Sequence, residues 1–386
     1  MRILVLTPTF LPMVGGAEIV LLEVYRRLAE RHEVLLLTAD KNLAGGGLDR
    51  VINFPVIRYQ DRLSFMNFRG HRLTGGFVPP FSLSAVSATR EIVNDFRPDV
   101  LNTHYMAYTG LATDIAQKVC KVPSVLTFTG RDVPGPRTPW FWKYYDRWVA
   151  GSVAAITFVS EYCRRAIYGS DGSLGTVISN GVDLNRFTPR LSGFLIRQRL
   201  GLLQESPVLF AVQRLSPEKR VDVIIRAMTY VLEECPDVKL VIGGKGPSQS
   251  KLVSLVKKLS LEQSVHFTGY IPDIDLPAYY AMADLFVFHS TYETFGLVIA
   301  EAMASGKPVV SVRSTAIPDV VQDGQTGLLA SPLDPVDMAS KITDLLDSPT
   351  RIHELGCQGR LWAEQHFDWD VIAEQYETVL LKAANL

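Results

Sequence analysis

Two glutamates, Glu293 and Glu301, flank the point where a loop enters a predicted helix. Gly296 lies at that point, between Phe295 and Leu297. Backbone N–H groups at the start of a helix lack intrahelical partners and carry the positive end of the helix dipole, so such a turn can bind a diphosphate. Carboxylates accept two hydrogen bonds at a fixed spacing, which suits the hydroxyls of a sugar or a ribose. The alternative is structural: one glutamate is favoured by the helix dipole and the other is solvated.

A second candidate is the loop after the predicted strand at residues 208–212, which carries Arg214 and Lys219. Ligands of open parallel sheets bind beyond the carboxyl ends of the strands, so both cations could face one anion there. Arginine binds a phosphate as a fork, and lysine acts as a point charge. Together they could neutralise a diphosphate leaving group. The alternative is a polar loop in which a helix begins at Pro217.

Short apolar runs alternate with segments of helical period along the chain. Apolar runs predict strands that are buried on both faces, and spacings of three and four residues predict amphipathic helices between them. This alternation predicts the α/β class, with parallel sheets covered by helices on both faces. The predicted strands are residues 3–6, 34–37, 99–103, 124–128 and 154–159 in a first series, and 208–212, 239–242, 265–267, 285–288 and 308–312 in a second.

The length of 386 residues and the restart of the pattern predict two domains. Residues 180–206 hold turn residues and little periodicity, so the linker is placed near residues 185–200. The first domain is expected at residues 1–190 and the second at residues 191–369. A helical segment follows Trp369, and its residues, about 370–386, are a candidate to pack back on the first domain.

Composition narrows the class of protein. The formal net charge of -1 argues against a general nucleic-acid binder, which usually has a basic excess. The four cysteines are far apart and lack the spacing of a metal or redox site, so reduced thiols in the cytoplasm are expected. The apolar run at the N-terminus is short for a signal peptide, and no stretch of about 20 apolar residues occurs. The expected location is the cytoplasm, with the inner face of the membrane as a peripheral site.

Further motifs complete a pattern that is known from one enzyme family. They are Gly15-Gly16-Ala17-Glu18, Ser179-Asn180-Gly181-Val182-Asp183 with Phe187, and Gly243-Gly244-Lys245-Gly246-Pro247. With the glutamates and the basic loop, the sequence resembles the retaining glycosyltransferases of family 4 over nearly its whole length. The resemblance implies the GT-B fold, in which two Rossmann-like doubly wound domains face a central cleft. The first domain would bind the acceptor and the second the nucleotide-sugar donor.

The resemblance also implies roles for single residues. Arg214 and Lys219 would hold the donor diphosphate and stabilise the charge that develops on it. Glu293 would bind hydroxyls of the donor sugar, and Glu301 would accept hydrogen bonds from the ribose. The remaining donor-binding positions would be Gly16, Gly244, Tyr270, Phe295, Gly296 and Leu297.

Three residues of the first domain complete the candidate site. His104 follows the predicted strand at residues 99–103, and the resemblance implies that it contacts the donor sugar or assists charge stabilisation. A structural histidine at the end of a strand is the alternative. Arg131 and Asp132 follow the strand at residues 124–128 and are candidates for acceptor contacts. A buried ion pair or a turn is the alternative for these two.

The implied reaction is transfer of a hexosyl group, mannose or glucose or similar, from a UDP- or GDP-sugar to an acceptor hydroxyl. A glycan or a lipid-linked sugar is the implied acceptor, in the synthesis of cell-envelope glycans. No further cofactor and no metal are expected, because the acidic pairs Asp273/Asp275 and Asp368/Asp370 lie in or beside helix starts, where aspartates act as caps. The alternatives are a nucleotide-sugar epimerase or a phosphorylase of the same fold, or a non-catalytic nucleotide-sugar-binding subunit.

Residues 137–149 form a basic and aromatic stretch. Such a stretch could rest on a membrane surface or receive a lipid-linked acceptor. The alternative is an amphipathic helix that buries its aromatic side chains on the first domain.

Overall fold

The computed structural model describes residues 1–11, 15–40, 52–61, 81–130, 140–169 and 174–385. The chain divides into two compact units. The first unit consists of Met1–Asn180 together with Trp369–Leu386, and the second is Gly181–Asp368.

The first unit is built on a seven-stranded sheet in which all neighbouring strands are parallel. Its strand order is β3-β2-β1-β4-β5-β6-β7, so the chain moves outward in one direction from β1 and in the other from β4. The strands are β1 (Arg2–Thr7), β2 (Glu33–Asp40), β3 (Val56–Gln60), β4 (Val100–His104), β5 (Ser124–Phe128), β6 (Ala155–Phe158) and β7 (Thr176–Val177). The helices between them are α1 (Gly16–Leu28), α2 (Leu83–Phe96), α3 (Met106–Lys118), α4 (Trp140–Ala150) and α5 (Glu161–Tyr168).

Strand β1 shows why this sheet is covered on both faces. Its residues Ile3, Leu4, Val5 and Leu6 are all fully buried. Successive strand side chains point to opposite faces, so Ile3 and Val5 join one hydrophobic cluster while Leu4 and Leu6 join another. Both faces therefore need helices, as the continuous apolar run predicts.

The second unit repeats the plan with a six-stranded parallel sheet of order β10-β9-β8-β11-β12-β13. The strands are β8 (Val208–Val212), β9 (Lys239–Gly243), β10 (Val265–Gly269), β11 (Leu285–Val287), β12 (Val309–Val312) and β13 (Gly327–Ala330). The helices are α6 (Phe194–Arg199), α7 (Val221–Glu234), α8 (Gln249–Lys258), α9 (Leu276–Met282), α10 (Leu297–Ala304), α11 (Ile317–Val320), α12 (Pro335–Leu346) and α13 (Pro349–His366). Here the direction of winding reverses between β8 and β11.

The last helix, α14 (Trp369–Ala384), belongs to the first unit. Trp369, Ile372, Tyr376 and Leu380 are buried in the same cluster as α1 and β1. Two ion pairs hold the outer side of α14 against the rest of this unit. They join Arg27 to Asp370 at 2.5 Å and Arg31 to Glu377 at 2.9 Å.

The division between the units lies after Asn180, earlier than the expected boundary at residue 190. The predicted linker at residues 185–200 is not a bare connection, because α6 forms within it. Phe187 packs edge-to-face on Tyr280, with ring centroids 5.6 Å apart. Gly193 lies so close to α9 that a Cβ there would be 2.1 Å from the Cα of Met282. The segment's turn residues predicted an irregular linker, but its contacts show that the segment is part of the second unit.

Three strands were missed by the sequence analysis. β3 is an edge strand with mostly exposed side chains, β7 has two residues, and β13 is short and begins with a glycine. Short or polar strands carry too few apolar residues to show a period. Among the helices in the described part of the chain, none is both long enough and apolar enough to span a bilayer.

Removal of α14 should unfold the first unit. Each large apolar side chain buried by the helix contributes about 1.5–3 kcal/mol, so the loss is comparable to a net domain stability of about 5–15 kcal/mol. A chain ending at Asp368 should lose protease resistance within Met1–Asn180 while Gly181–Asp368 stays resistant. A chain lacking only residues 385–386 serves as the control. Wild-type protease resistance of both units in the truncated chain would contradict this view of α14.

Candidate active site

The sequence-predicted residues of the second unit all follow strands of its parallel sheet. They therefore lie on the side of the sheet where the carboxyl ends of the strands meet. Arg214 and Lys219 follow β8, Gly244 follows β9, Tyr270 follows β10, and Glu293, Phe295, Gly296, Leu297 and Glu301 follow β11. The winding direction reverses between β8 and β11. Loops diverge at such a reversal and leave a crevice, which is where open α/β sheets bind ligands.

Lys219 and Glu293 meet across this reversal. Lys219 ends a short 3-10 turn, Pro217–Lys219, and its Nζ forms an ion pair with Oε2 of Glu293. The side chains are 19% and 16% exposed, so the pair is shielded but reachable from solvent. The two loops are also joined through the backbone, since the N–H of Thr291 donates to the carbonyl of Glu218 at 2.8 Å. The structure thus brings together two residues that are far apart in sequence.

Arg214 adds a second cation to the same loop. Its side chain is exposed at the carboxyl end of β8. Partial burial opposes ionisation of Glu218, but a hydrogen bond from Ser216 and the charges of Lys219 and Arg214 together lower the pKa of that carboxyl group. The positive charges of Lys219 and Arg214 thus act on the same carboxyl group, and two such cations on one loop suit an anionic ligand.

Helix α10 begins at Leu297, directly after Gly296. Gly296 has φ 95° and ψ 65°, a left-handed conformation that disfavours any residue with a Cβ. Phe295 is 2% exposed and packs edge-to-face on Phe367, with centroids 5.3 Å apart. Its ring is therefore turned into the interior, where it supports the turn that precedes α10. The N–H groups in the first turn of a helix lack intrahelical partners, and binding of a diphosphate here stays a prediction.

Glu301 lies on α10 and is half-buried. Its Oε2 accepts a hydrogen bond from the phenol of Tyr280 at 2.8 Å. Sequence analysis did not identify Tyr280 as a functional residue, because an isolated tyrosine in an apolar helix gives no signal of its contacts.

The glycines after β9 have a packing reason. A Cβ at Gly244 would lie 1.9 Å from the carbonyl oxygen of Gln213, and one at Gly246 would lie 2.2 Å from that of Leu215. The N–H of Leu215 donates to the carbonyl of Lys245 at 3.0 Å, so the loops after β8 and β9 run side by side. These glycines hold the basic loop in place. Contact of Gly244 with the donor stays a prediction.

Tyr270 is 67% exposed beyond the end of β10. It follows Gly269, whose carbonyl accepts the N–H of Gly244 at 2.7 Å. Backbone hydrogen bonds thus join the loop after β8 to the loop after β9, and that loop to the end of β10. The phenol ring of Tyr270 lies next to these loops and is exposed to solvent.

In the first unit, the glycine turn precedes α1. Gly15 is its N-cap and Gly16 its first residue. A Cβ at Gly15 would lie 2.7 Å from Oε2 of Glu18, and Glu18 is buried with its Oε1 accepting from the hydroxyl of Thr9 at 2.7 Å. The turn therefore lies directly over a buried carboxylate. The donor contact of Gly16 stays a prediction.

His104 ends β4, next to β1, where the winding of the first sheet reverses. Its ring is 1% exposed, its Nε2 is 2.8 Å from the hydroxyl of Tyr25, and Tyr376 stacks on it. Burial lowers the pKa of His104 to about 3, so the ring is neutral near pH 7. These contacts favour the structural alternative. Its Nδ1 is buried and has no hydrogen-bond partner among the described residues, and contact with a donor sugar stays a prediction.

The other first-unit candidates are only partly described. Arg131 and Asp132 lie outside the described residues. The aromatic stretch contributes α4, whose Val149 is buried whereas Tyr144 and Trp148 are 65% and 49% exposed. Lys118 lies over the ring of Trp148, with Nζ 4.6 Å from the centroid. The described part of this helix therefore has a packed side and an exposed aromatic side.

Two aspartates of the acidic pairs near helix starts form ion pairs. Asp273 pairs with Arg186 at 2.9 Å, and Asp370 pairs with Arg27. Asp275 is the N-cap residue of α9, but its side chain makes no capping hydrogen bond. Across the ranges that the structure describes, no group of three or more His, Cys, Asp or Glu side chains is arranged to hold a metal ion.

Alanine at Gly244 should destabilise the second unit more than alanine at Gly324. Both glycines have positive φ, but a Cβ at Gly324 would meet nothing within 4 Å. Gly324→Ala should therefore lower the free energy of unfolding by only about 1–2 kcal/mol. Gly244→Ala must also displace the backbone of Gln213, and a loss of about 3 kcal/mol or more is expected. Urea unfolding compares the two, and equal losses would rule out the close-packing explanation.

The buried His104 should make the first unit less stable in acid. Its pKa is about 3 when folded and about 6.5 when unfolded, so below pH 6.5 the unfolded chain binds an extra proton. Stability from this residue is complete above pH 6.5 and is lost as the pH falls towards 3, by up to about 1.4 kcal/mol per pH unit. The His104→Gln variant, which keeps a polar partner for Tyr25, should show a smaller slope between pH 6 and pH 4 in urea unfolding. A slope identical to that of the wild type would contradict a buried neutral imidazole.

Two family models match the chain. Residues 14–186 match the model described as Glycosyltransferase Family 4, and residues 194–362 match Glycosyl transferases group 1. A Mycolicibacterium smegmatis GDP-mannose-dependent alpha-(1-6)-phosphatidylinositol monomannoside mannosyltransferase is 34% identical over 233 residues, which are 58% of this chain and 61% of that protein. An N-acetyl-alpha-D-glucosaminyl L-malate synthase of Bacillus anthracis is 26% identical over 96% of this chain and 95% of its own length.

Solved structures agree with the two-unit architecture. The Anabaena protein HepE, in complex with UDP and glucose, matches with a TM-score of 0.79 at 24% identity and covers 99% of this chain and 100% of its own. A sucrose-phosphate synthase from Thermosynechococcus elongatus matches with a TM-score of 0.80 at 22% identity over 98% of each chain. At these identities, the likeness establishes the fold.

The prediction of a glycosyltransferase is confirmed, and the epimerase, phosphorylase and non-catalytic alternatives are not favoured. Motifs, sheet order and family models agree over both halves of the chain. The chain belongs to glycosyltransferase family 4 and has the GT-B architecture of two Rossmann-like domains.

Proposed function

We propose that this glycosyltransferase moves a hexosyl group from a nucleotide diphosphate sugar to an acceptor hydroxyl, with retention at the anomeric carbon. The observation that carries the proposal is the ion pair of Lys219 with Glu293, which joins the loop that carries Arg214 to the loop that leads into α10. The positive charges of Arg214 and Lys219 suit a diphosphate, and the carboxylate of Glu293 can accept hydrogen bonds from sugar hydroxyls. Relatives support a GDP- or UDP-linked donor, since one is named as GDP-mannose-dependent and HepE was solved with UDP and glucose.

Binding of the donor would break the ion pair between Lys219 and Glu293 and give each side chain a new partner. Without ligand, Lys219 and Glu293 neutralise each other. On binding, the β-phosphate would take the place of the carboxylate at Lys219, and sugar hydroxyls would donate to Glu293. Arg214 would hold the diphosphate as a fork, and the N–H groups at the start of α10 would donate to its oxygens. Glu301 would accept from the ribose, and Gly244 and Tyr270 would lie beside the nucleotide.

The chemical step follows from this placement. The bond between the anomeric carbon and the phosphate oxygen breaks, and the acceptor oxygen forms its bond on the same face of the sugar. The departing phosphate oxygen takes the acceptor's proton. Arg214 and Lys219 stabilise the negative charge on the diphosphate, which is the kind of preorganised electrostatic contribution that lowers barriers most. No protein nucleophile is needed for this front-face route, and we propose no metal in it.

We propose that the first unit binds the acceptor, with Arg131 and Asp132 among its contacts and Gly16 and His104 near the donor sugar. A glycan or lipid-linked acceptor is supported by the mannosyltransferase relative, which is named for a phosphatidylinositol monomannoside. An acceptor of that kind would bring a cytoplasmic chain to the inner face of the membrane. The exposed Tyr144 and Trp148 of α4 are the aromatic groups that would contact the lipid.

Replacing Lys219 by alanine tests the leaving-group role. The variant should fold normally but turn over about 100-fold more slowly, because one charge contact to the departing group is lost. Lys257→Ala on the exposed side of α8 is a matched control and should keep wild-type turnover. Turnover is measured as acceptor-dependent release of nucleoside diphosphate, a requirement that also separates transfer from epimerisation.

The donor class is identified first by thermal shift with UDP, GDP, ADP and their common hexose conjugates. A ligand that binds the folded state raises the melting temperature. A shift with one nucleotide that is lost in Arg214→Ala supports the proposed donor site. Wild-type turnover in Lys219→Ala, or no shift with any of these nucleotides, would count against it.

A further inference from the structure

Tyr280 makes a specific contact with the carboxylate proposed to hold the ribose. Its phenol oxygen lies 2.8 Å from Oε2 of Glu301 and 3.1 Å from the carbonyl oxygen of Val298. Tyr280 belongs to α9, whereas both acceptors belong to α10. One hydroxyl therefore links the helix before β11 to the helix after it.

The ring of Tyr280 has little freedom to move. It is fully buried. Phe187 and Phe210 pack on it edge-to-face, with centroids at 5.6 and 5.3 Å, and Phe286 packs tilted at 5.4 Å. Because these neighbours come from the segment before α6 and from β8 and β11, the ring is held from three elements. The hydroxyl is thus presented at a fixed position.

The hydroxyl also stays a donor. Burial raises the pKa of Tyr280 well above its usual value, and the charge of Glu301 raises it further. A neutral phenol has one proton to donate, and the carboxylate is both the nearer and the charged acceptor. The hydroxyl of Tyr280 therefore donates its proton to Oε2 of Glu301.

We propose that Tyr280 is a positioning residue that sets the orientation of the Glu301 carboxylate for the hydroxyls of the donor ribose. The inference rests on the proposed function, in which Glu301 binds the ribose. A hydrogen bond to one carboxylate oxygen restricts the rotamers of this half-buried glutamate before the nucleotide arrives. Tyr280 would thereby contribute to the preference for a ribonucleotide.

Neighbouring Tyr279 supplies a matched control. It is also a buried tyrosine of α9, 6% exposed, but its hydroxyl accepts from Arg199 at 3.0 Å and does not contact Glu301. Tyr279→Phe and Tyr280→Phe each remove one buried hydroxyl and retain the ring. A general effect of losing a buried hydroxyl should appear in both variants, whereas a positioning effect should appear in only one.

The test measures dissociation constants by calorimetry for GDP and UDP and for their 2′,3′-dideoxy analogues. The selectivity is the ratio of the two constants for the nucleotide that binds. Glu301→Ala should lower this selectivity about 10- to 100-fold, the range for hydrogen bonds to a charged group. Tyr280→Phe should lower it about 3- to 10-fold and leave binding of the dideoxy analogue unchanged, while Tyr279→Phe keeps the wild-type ratio. In the Glu301→Ala background, Tyr280→Phe should have no further effect.

Turnover gives an independent readout. Since the ribose is bound equally before and during the reaction, Tyr280→Phe should raise the donor KM about 3- to 10-fold with kcat nearly unchanged. If Tyr280→Phe does not fold by circular dichroism, Tyr280→Met takes its place, because methionine also lacks the hydroxyl and its flexible side chain can fill the space of the ring. Its selectivity should fall as well.

The outcomes separate the inference from the proposed function. Loss of selectivity in Glu301→Ala with wild-type selectivity in Tyr280→Phe, or in Tyr280→Met where that variant replaces it, overturns the role of Tyr280 and leaves the donor site standing. Equal losses in Tyr279→Phe and Tyr280→Phe overturn it as well. Wild-type protein that binds neither nucleotide overturns both.

Discussion

The site depends on the reversal of winding between β8 and β11. Chain segments leave β8 towards one side of the sheet and β11 towards the other, so the loops after these adjacent strands diverge around a crevice. Lys219 and Glu293 reach each other because their strands are neighbours, although they are far apart in sequence. The first unit has the same reversal between β1 and β4, and there the glycine turn and His104 follow the two strands.

Close backbone approach is the second requirement of this site. Gly244 and Gly246 let the loop after β9 run against the loop after β8, where any side chain would collide with a carbonyl. The basic loop is thereby held from one side by the β9 loop and from the other by the β11 loop. Backbone contacts therefore fix the loop that carries Arg214 and Lys219, and a fixed loop favours the preorganisation that electrostatic stabilisation requires.

The buried polar groups differ between the units. In the first unit, Tyr25, His104 and Tyr376 form a neutral cluster beneath the carboxyl edge of the sheet, and Tyr376 brings α14 into it. In the second unit, Tyr280 lies against a charged carboxylate that is half-exposed. The same residue type thus completes a helix-packing contact in one unit and orients a ligand-binding group in the proposal for the other.

The sequence by itself determined the fold class and the two-part organisation, and it identified the charged residues of the second unit as candidates. Apolar runs on β1 and β8 and helical spacing between them are local properties, and Arg214 and Glu293 stand in motifs that can be read directly. Only the tertiary structure decided which residues that are distant in sequence contact each other. That Glu301 meets Tyr280 and that His104 is enclosed rather than open follows from strand order and helix packing, which bring together residues whose separation along the chain carries no record of the contact.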